Sequence, residues 1–239
     1  MRFPIPLVRG QLIARYKRFL ADVAFEDGAR ITAACPNTGA MLGLVGPGRT
    51  VWLSCHAKPS RKYPYTWEMV EADLGAGPTL VGINPLHPNG IVAQAIAAGH
   101  IPTLAGYASL RREVRYGAGC RIDVLLDGPG KPPCYVEVKN VHFMREGGRA
   151  EFPDSITARG AKQLSELTGV LRQGGRAIVV YLIQRADAHC LALADDIDPR
   201  YAAAFAAARD AGLEAIALRC RLSREAIDIE AEIPIAPCQ

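Results

Sequence analysis

The 239-residue sequence has no apolar run approaching the roughly 20 residues that a bilayer span needs, which excludes a helical membrane protein. Its seven cysteines, at 35, 55, 120, 134, 190, 220 and 238, are odd in number and never spaced Cys-x-x-Cys. Neither a zinc ribbon nor a disulfide framework is expected from them; reduced thiols are. The five histidines form no His-Glu-x-x-His or other close pair, which weighs against histidine-based metal or triad chemistry. A phosphate-cradling glycine loop of the P-loop or Rossmann type is also missing, so nothing supports a nucleotide cradle. The opening stretch "MRFPIPLVRGQLIARYKRFL" interrupts its apolar residues with prolines and then turns basic, unlike a secretory signal. With reduced thiols, this makes a cytoplasmic location the expectation.

What is present is the composition of an ordinary globular protein, 49% hydrophobic and 22% charged, long enough for one large domain or two smaller ones. The net charge of +4 is unevenly placed. Residues 1–82 hold 10 Lys and Arg against 6 Asp and Glu, whereas residues 83–239 hold 18 of each. An excess confined to the first third suits an anionic partner there.

Organisation changes at the same point. Up to residue 82, short β-type runs such as "GQLIARYKRF", "ARITAAC", "TVWLSCHA" and "TLVGI" alternate with glycine and asparagine turns. Closely spaced short strands without helical period predict a small OB-like β-barrel. After "NPLHPNG", from residue 83 to 239, helical and strand patterns alternate. "IVAQAIAAGH", Ser155 to Gln173 and "PRYAAAFAAARDAG" read as helices; "SLRREVRYG", "RIDVLL", "YVEVKNV", "RAIVVYLIQ", "CLALA", "LEAIALRCRL" and "AIDIEAEI" read as strands. That alternation predicts a mixed-sheet α/β domain.

Within it, "RIDVLLDGPGKPPCYVEVKN" places charges inside runs that otherwise read as buried strand. If the turn centres on Gly130, Asp123 faces Glu137 across an antiparallel pair, roughly 4.5–5.5 Å apart at Cβ. Two carboxylates at that separation repel unless a cation lies between them. Period-2 alternation puts Lys139 on the same face and sends Val136 and Val138 to the other. Two acids and an ammonium suit magnesium-assisted attack of water on a phosphodiester, with manganese as a substitute: Asp123 and Glu137 hold the metal, and Lys139 orients water or offsets phosphate charge. The competing reading is a plain ion pair on a solvated sheet face. The following helix carries Leu164, Leu167 and Leu171 on one side and Arg159, Lys162, Gln163 and Glu166 on another. This polar row could meet a nucleic-acid backbone or order the waters of the site, or it is simply the wet side of an amphipathic helix.

In the first unit, "RKYPYTWE" sets Arg61 and Lys62 beside Tyr63, Tyr65 and Trp67, which share a face at period 2. Rings next to cations are how OB folds take single-stranded nucleic acid. Burial in the barrel core is the favoured reading for Trp67. Lys17 and Arg18 add phosphate-type cations, and contacts of that kind carry no sequence preference.

Asp123, followed by Glu137-Val138-Lys139 and then a polar helix row, resembles the PD-(D/E)xK nuclease fold. Nearly the whole chain, through "CPNTGAM", "VW", "RKYPYTWE", "REVRYG", "RIDVLL", "YVEVKNV" and "FPDSITARGAKQL", resembles the sugar fermentation stimulation protein family (SfsA). The resemblance implies an OB-like barrel on a restriction-endonuclease-like domain, with sequence-non-specific DNA binding and a regulatory role in sugar use. It assigns metal-site roles to Asp123 and Glu137 and a catalytic lysine role to Lys139, the basis for a magnesium-dependent nuclease as the second functional expectation. Gln163 departs from the pattern, which often has histidine there.

Overall fold

The computed structural model describes residues 1–56, 61–75, 77–117 and 119–235. Six strands make the first unit: β1 (Val8–Tyr16), β2 (Leu20–Ala24), β3 (Arg30–Ala34), β4 (Thr50–Cys55), β5 (Tyr65–Ala72) and β6 (Thr79–Gly82). They lie in the order β3-β2-β1-β4-β5-β6, and a parallel pairing of Ala34 with Thr66 joins β3 to β5. The first five strands thus close into the expected OB-like barrel, which removes two sheet edges. Its interior is filled by alternate residues, among them Leu12, Val23, Val51, Leu53, Trp67 and Val70.

The second unit contains α1 (Pro88–Ala97), a 3-10 turn at Pro102–Leu104, β7 (Ser109–Tyr116), β8 (Cys120–Asp127), β9 (Cys134–Val141), β10 (Phe143–Glu146) and β11 (Arg149–Phe152). It continues with α2 (Ala158–Arg172), β12 (Arg176–Ile183), β13 (Cys190–Leu193), α3 (Pro199–Asp210), β14 (Glu214–Leu222) and β15 (Ile227–Ile233). The main sheet runs β15-β14-β12-β9-β8-β7. Its middle strands β9, β12 and β14 are parallel, and the outer pairings are antiparallel. Strand β12, "RAIVVYLI", shows why: a strand covered on both faces is apolar throughout. Ala177, Val179, Tyr181 and Ile183 meet α2 and α3 on one side, while Ile178, Val180 and Leu182 meet α1 on the other.

Three local details differ from the sequence reading. Helix α1 starts at Pro88 rather than Ile91, because a proline without an N–H suits the first turn. Helix α2 starts at Ala158 rather than Ser155, because the Thr157 hydroxyl caps it by accepting the Gly160 N–H at 3.1 Å. The hairpin β10–β11 was not anticipated; it turns at Gly147 and Gly148 and pairs with β13 in a separate three-stranded sheet. Cys35, Cys55, Cys120, Cys134 and Cys220 are free thiols, but Cys190 is disulfide-bonded, which corrects the expectation of a wholly reduced set. Among the described residues, no helix is long and apolar enough to cross a membrane.

The two units are tied by direct backbone contact. Val81 bridges to Arg185, and the Gly82 N–H donates to the Gln184 carbonyl at 2.8 Å. The Met41 N–H donates to Asp154 Oδ2 at 3.1 Å, and Asn37 Nδ2 to the Ile83 carbonyl at 3.0 Å. Residues at the start of the chain lie against the last hairpin of the second unit, with the Phe3 N–H on the Glu225 carbonyl at 2.8 Å. A Cβ on Gly82 would fall 2.5 Å from Gln184 Oε1 and 3.0 Å from Gln184 Cβ. Gly82→Ala is therefore expected to destabilise the protein by about 1–3 kcal/mol, seen as a lower midpoint in thermal unfolding. An unchanged midpoint would mean that this contact yields without cost.

Candidate active site

Strands β8 and β9 pair as Val124↔Val136, Leu125↔Tyr135 and Leu126↔Cys134, the register expected from a turn at Gly130. The ladder stops before Asp123. There the side chain replaces the backbone: Asp123 Oδ2 accepts the Val138 N–H at 2.8 Å, and Oδ1 accepts Asn89 Nδ2 at 2.7 Å. Val136 and Val138 pack into the core on the α1 side, as the alternation requires.

Glu137 and Lys139 are not the exposed ion pair of the competing reading. They are 3% and 9% exposed, and Lys139 Nζ donates to Glu137 Oε1 at 2.8 Å. A second bond from Nζ goes to Gln163 Oε1 at 2.9 Å. Gln163 is itself 8% exposed, next to Leu164 and Leu167, whereas Arg159 and Lys162 are exposed. The row proposed from helical spacing is thus split: Gln163 turns inward to the lysine, and the two cations face out. Glu137 Oε2 is buried with no hydrogen-bond partner. Leaving such an oxygen unsatisfied is costly, and a cation would satisfy it.

Electrostatics agree with the geometry. Burial, then the neighbouring Glu137, raise the Asp123 carboxyl to about 6, against the opposing Val138 N–H and Lys139 charge. Burial and Glu137 also push the Tyr116 hydroxyl well above its usual range. Among the described residues no three carboxylate, histidine or cysteine groups form a ready-made cage for a metal. Two carboxylates with one open oxygen fit a hard divalent cation that keeps most of its waters.

The nucleic-acid candidates fall in separate places. Lys17 and Arg18 are exposed at the β1–β2 turn, both with positive φ (50° and 65°). Beneath them Arg15 donates to the Arg18, Asn37 and Gly39 carbonyls at 2.8–2.9 Å, fastening this tip to the "CPNTG" loop. Arg61 and Lys62 are exposed; Arg61 donates to Thr66 Oγ1 at 3.2 Å, and Lys62 Nζ lies 5.5 Å from the Tyr63 ring centre. Tyr65 packs edge-on against Phe25, with ring centres 5.4 Å apart. Trp67 is fully buried and donates its indole N–H to the Met69 carbonyl at 2.9 Å, so it offers no ring to a base. Sequence reasoning missed Asn89 and Glu113 beside Asp123. Their only signals were an asparagine in the first turn of α1 and an acid directly opposite Asp123 in the hairpin.

Barrel, mixed sheet and buried acid–lysine cluster together define a two-domain protein, an OB fold joined to a restriction-endonuclease-like domain. The chain belongs to the sugar fermentation stimulation protein family: residues 13–83 match the "SfsA N-terminal OB domain" and residues 86–226 the "Sugar fermentation stimulation protein RE domain". Relatives named "Sugar fermentation stimulation protein homolog" include one from Azorhizobium caulinodans, 57% identical over 98% of this chain and 99% of its own. Another, from Rhodospirillum centenum, is 56% identical over 96% and 97%. Among solved structures, Pyrococcus furiosus SfsA in complex with Ca2+ superposes with a TM-score of 0.86 at 26% identity. It covers 99% of this chain and 98% of its own.

A carboxyl raised in the folded state keeps a proton that the unfolded chain has already released, so stability falls as pH rises from the ordinary aspartate value of 3.8 through about 6. Ionised Asp123 then costs on the order of 2–3 kcal/mol above that window. Without added cation, the wild type should lose stability relative to Asp123→Asn as pH rises from about 4 to about 7.5, so that the difference in melting temperature moves toward the variant. A difference that is the same at both pH values would show that Asp123 carries no such penalty.

Proposed function

We propose that the protein binds DNA, single strands included, without sequence preference and hydrolyses phosphodiester bonds at a PD-(D/E)xK-type site with magnesium, or manganese in its place. The observation that carries this reading is the buried Glu137–Lys139 pair with one glutamate oxygen left open beside Asp123. A family relative solved with Ca2+ supports an oxygen-seeking divalent cation. In this reading the protein works in the cytoplasm.

In this reading Asp123 and Glu137 hold the cation. The bound ion supplies charge neutralisation at the phosphate and a more acidic water. Lys139, fixed by Glu137 and Gln163, keeps its ammonium where a water or a phosphate oxygen approaches, with no rotamer search on substrate binding. Gln163 does by hydrogen bonding what a histidine would do at that place, orienting the lysine. The exposed cations Lys17, Arg18, Arg61, Lys62, Arg159 and Lys162 meet phosphates, and Tyr63 and Tyr65 offer ring surface to unpaired bases.

The test incubates single-stranded, double-stranded and branched DNA, and RNA, with magnesium or manganese. Glu137→Ala and Lys139→Ala should each lower cleavage at least about a hundredfold while leaving binding in place. Affinity should fall roughly tenfold or more between low and physiological salt and vary little with sequence. Binding without cleavage by the wild type on every substrate would leave a DNA-binding module; binding insensitive to salt would remove nucleic acid from the reading.

A further inference from the structure

The segment from Asn84 to Asn89 connects the two units, and its side chains do more than connect. Glu68 on β5 is buried, with its Oε1 accepting the Ser54 hydroxyl at 2.6 Å. Its Oε2 accepts Asn84 Nδ2 at 2.7 Å and lies 2.7 Å from His87 Nε2. Asn84 Oδ1 accepts the Leu86 N–H at 3.0 Å, so the strap is held internally as well. Pro88 then opens α1, and Asn89 in its first turn donates Nδ2 to Asp123 Oδ1 at 2.7 Å and to Glu113 Oε1 at 3.2 Å.

Glu113 is unusual. It lies in β7 opposite Asp123, between the pairs Arg112↔Val124 and Val114↔Ile122, yet has φ 55°, a backbone region that non-glycine residues rarely adopt. Such conformations persist where the surrounding structure imposes them and concentrate at functional sites. Arg121 stands 3.9 Å from the Glu113 carboxylate, too far to neutralise it through a tight bond. One neutral amide therefore restrains two carboxylates that repel each other, and the segment leading to it is held at Asn84 and His87 by Glu68 of the barrel.

We propose that Asn89 is a positioning residue of the cation site: carried on a strap that Glu68 anchors to the barrel at Asn84 and His87, it fixes the Asp123 carboxylate between β8 and β9 and holds Glu113 beside it as an outer acid of the site. The inference rests on the reading of Asp123 and Glu137 as cation ligands. It gives the OB barrel a second task, since displacing the strap from Glu68 would loosen a carboxylate in the other unit. A purely structural Asn89 would hold down the start of α1 and have no effect on Asp123.

Two readouts on the full chain decide the matter: the amide resonance and hydrogen exchange of Val138, which reports the Asp123 orientation without any metal, and Mn2+ affinity by calorimetry. Asn89→Ala should shift the Val138 resonance, speed its exchange, and weaken Mn2+ binding roughly tenfold or more, as loss of an outer partner does at metal sites. Glu68→Gln, which keeps volume and shape, should move the same resonance and weaken Mn2+ binding severalfold. Should the buried Glu68 variant fail to fold, His87→Gln tests the same link from the half-exposed side of the strap. Glu113→Gln should weaken Mn2+ binding and leave Val138 unmoved. Val138 exchange and Mn2+ affinity both unchanged in Asn89→Ala would overturn the proposal. A wild type that takes up no Mn2+ would overturn the cation reading itself, and with it the role of Glu113, while Val138 would still decide whether Asn89 sets Asp123.

Discussion

A carboxylate and an ammonium have been taken out of water together on β9, and the arrangement of the second unit follows from keeping them there. Burying such a pair is expensive, and apolar side chains of similar volume at positions 137 and 139 would serve the sheet as well or better. The cost is tolerable because each partner supplies the bond that the other needs, and because α2 brings Gln163 down onto the lysine. It is incomplete at one atom, Glu137 Oε2. A sheet built for stability alone gains nothing from an open carboxylate oxygen, and that is the observation behind the proposed role of the pair.

The barrel is attached at points that lead to this pair and its neighbours. Gly82 permits close backbone approach to Gln184, which follows the end of β12, and Gln184 Nε2 donates to Asn140 Oδ1, beside Lys139, at 2.7 Å. Met41 reaches Asp154, whose Oδ2 also lies 3.3 Å from His142 Nε2, just ahead of α2. Glu68 holds the strap that enters α1. These three attachments lead to β9, α2 and β8 respectively, the three elements that carry Lys139, Gln163 and Asp123. The relation between the units is therefore a geometric condition on the site as well as a way of covering surface.

Much of this was legible because it depends on local period and turn chemistry. Alternation around Gly130 gave the register of β8 on β9 and sent Val136 and Val138 into the core, and the apolar run of β12 was legible as a strand. Trp67 went into the barrel as its size and neighbours implied. What could not be read were tertiary contacts made by polar side chains. Gln163 sits among helix residues whose period would allow it to face either the lysine or water, and only the presence of Lys139 decides. Asn89 and Glu113 have no apolar pattern to place them. The pairing of β10 with β11 was hidden by a stretch that mixes Arg and Glu into a short alternation, and the disulfide at Cys190 has no local spacing signal.

The chain uses 22 arginines and only six lysines, yet keeps lysine at 139. A guanidinium there would bring five N–H donors in a flat fork to a buried niche that presents two oxygens, and the surplus would be stranded away from water. An ammonium brings three. Two are directed at Glu137 and Gln163, which leaves a single polarised hydrogen for whatever enters the niche. The preference for the smaller cation is thus an exercise in donor arithmetic: the protein retains one unspent proton, at a fixed point, and nothing more.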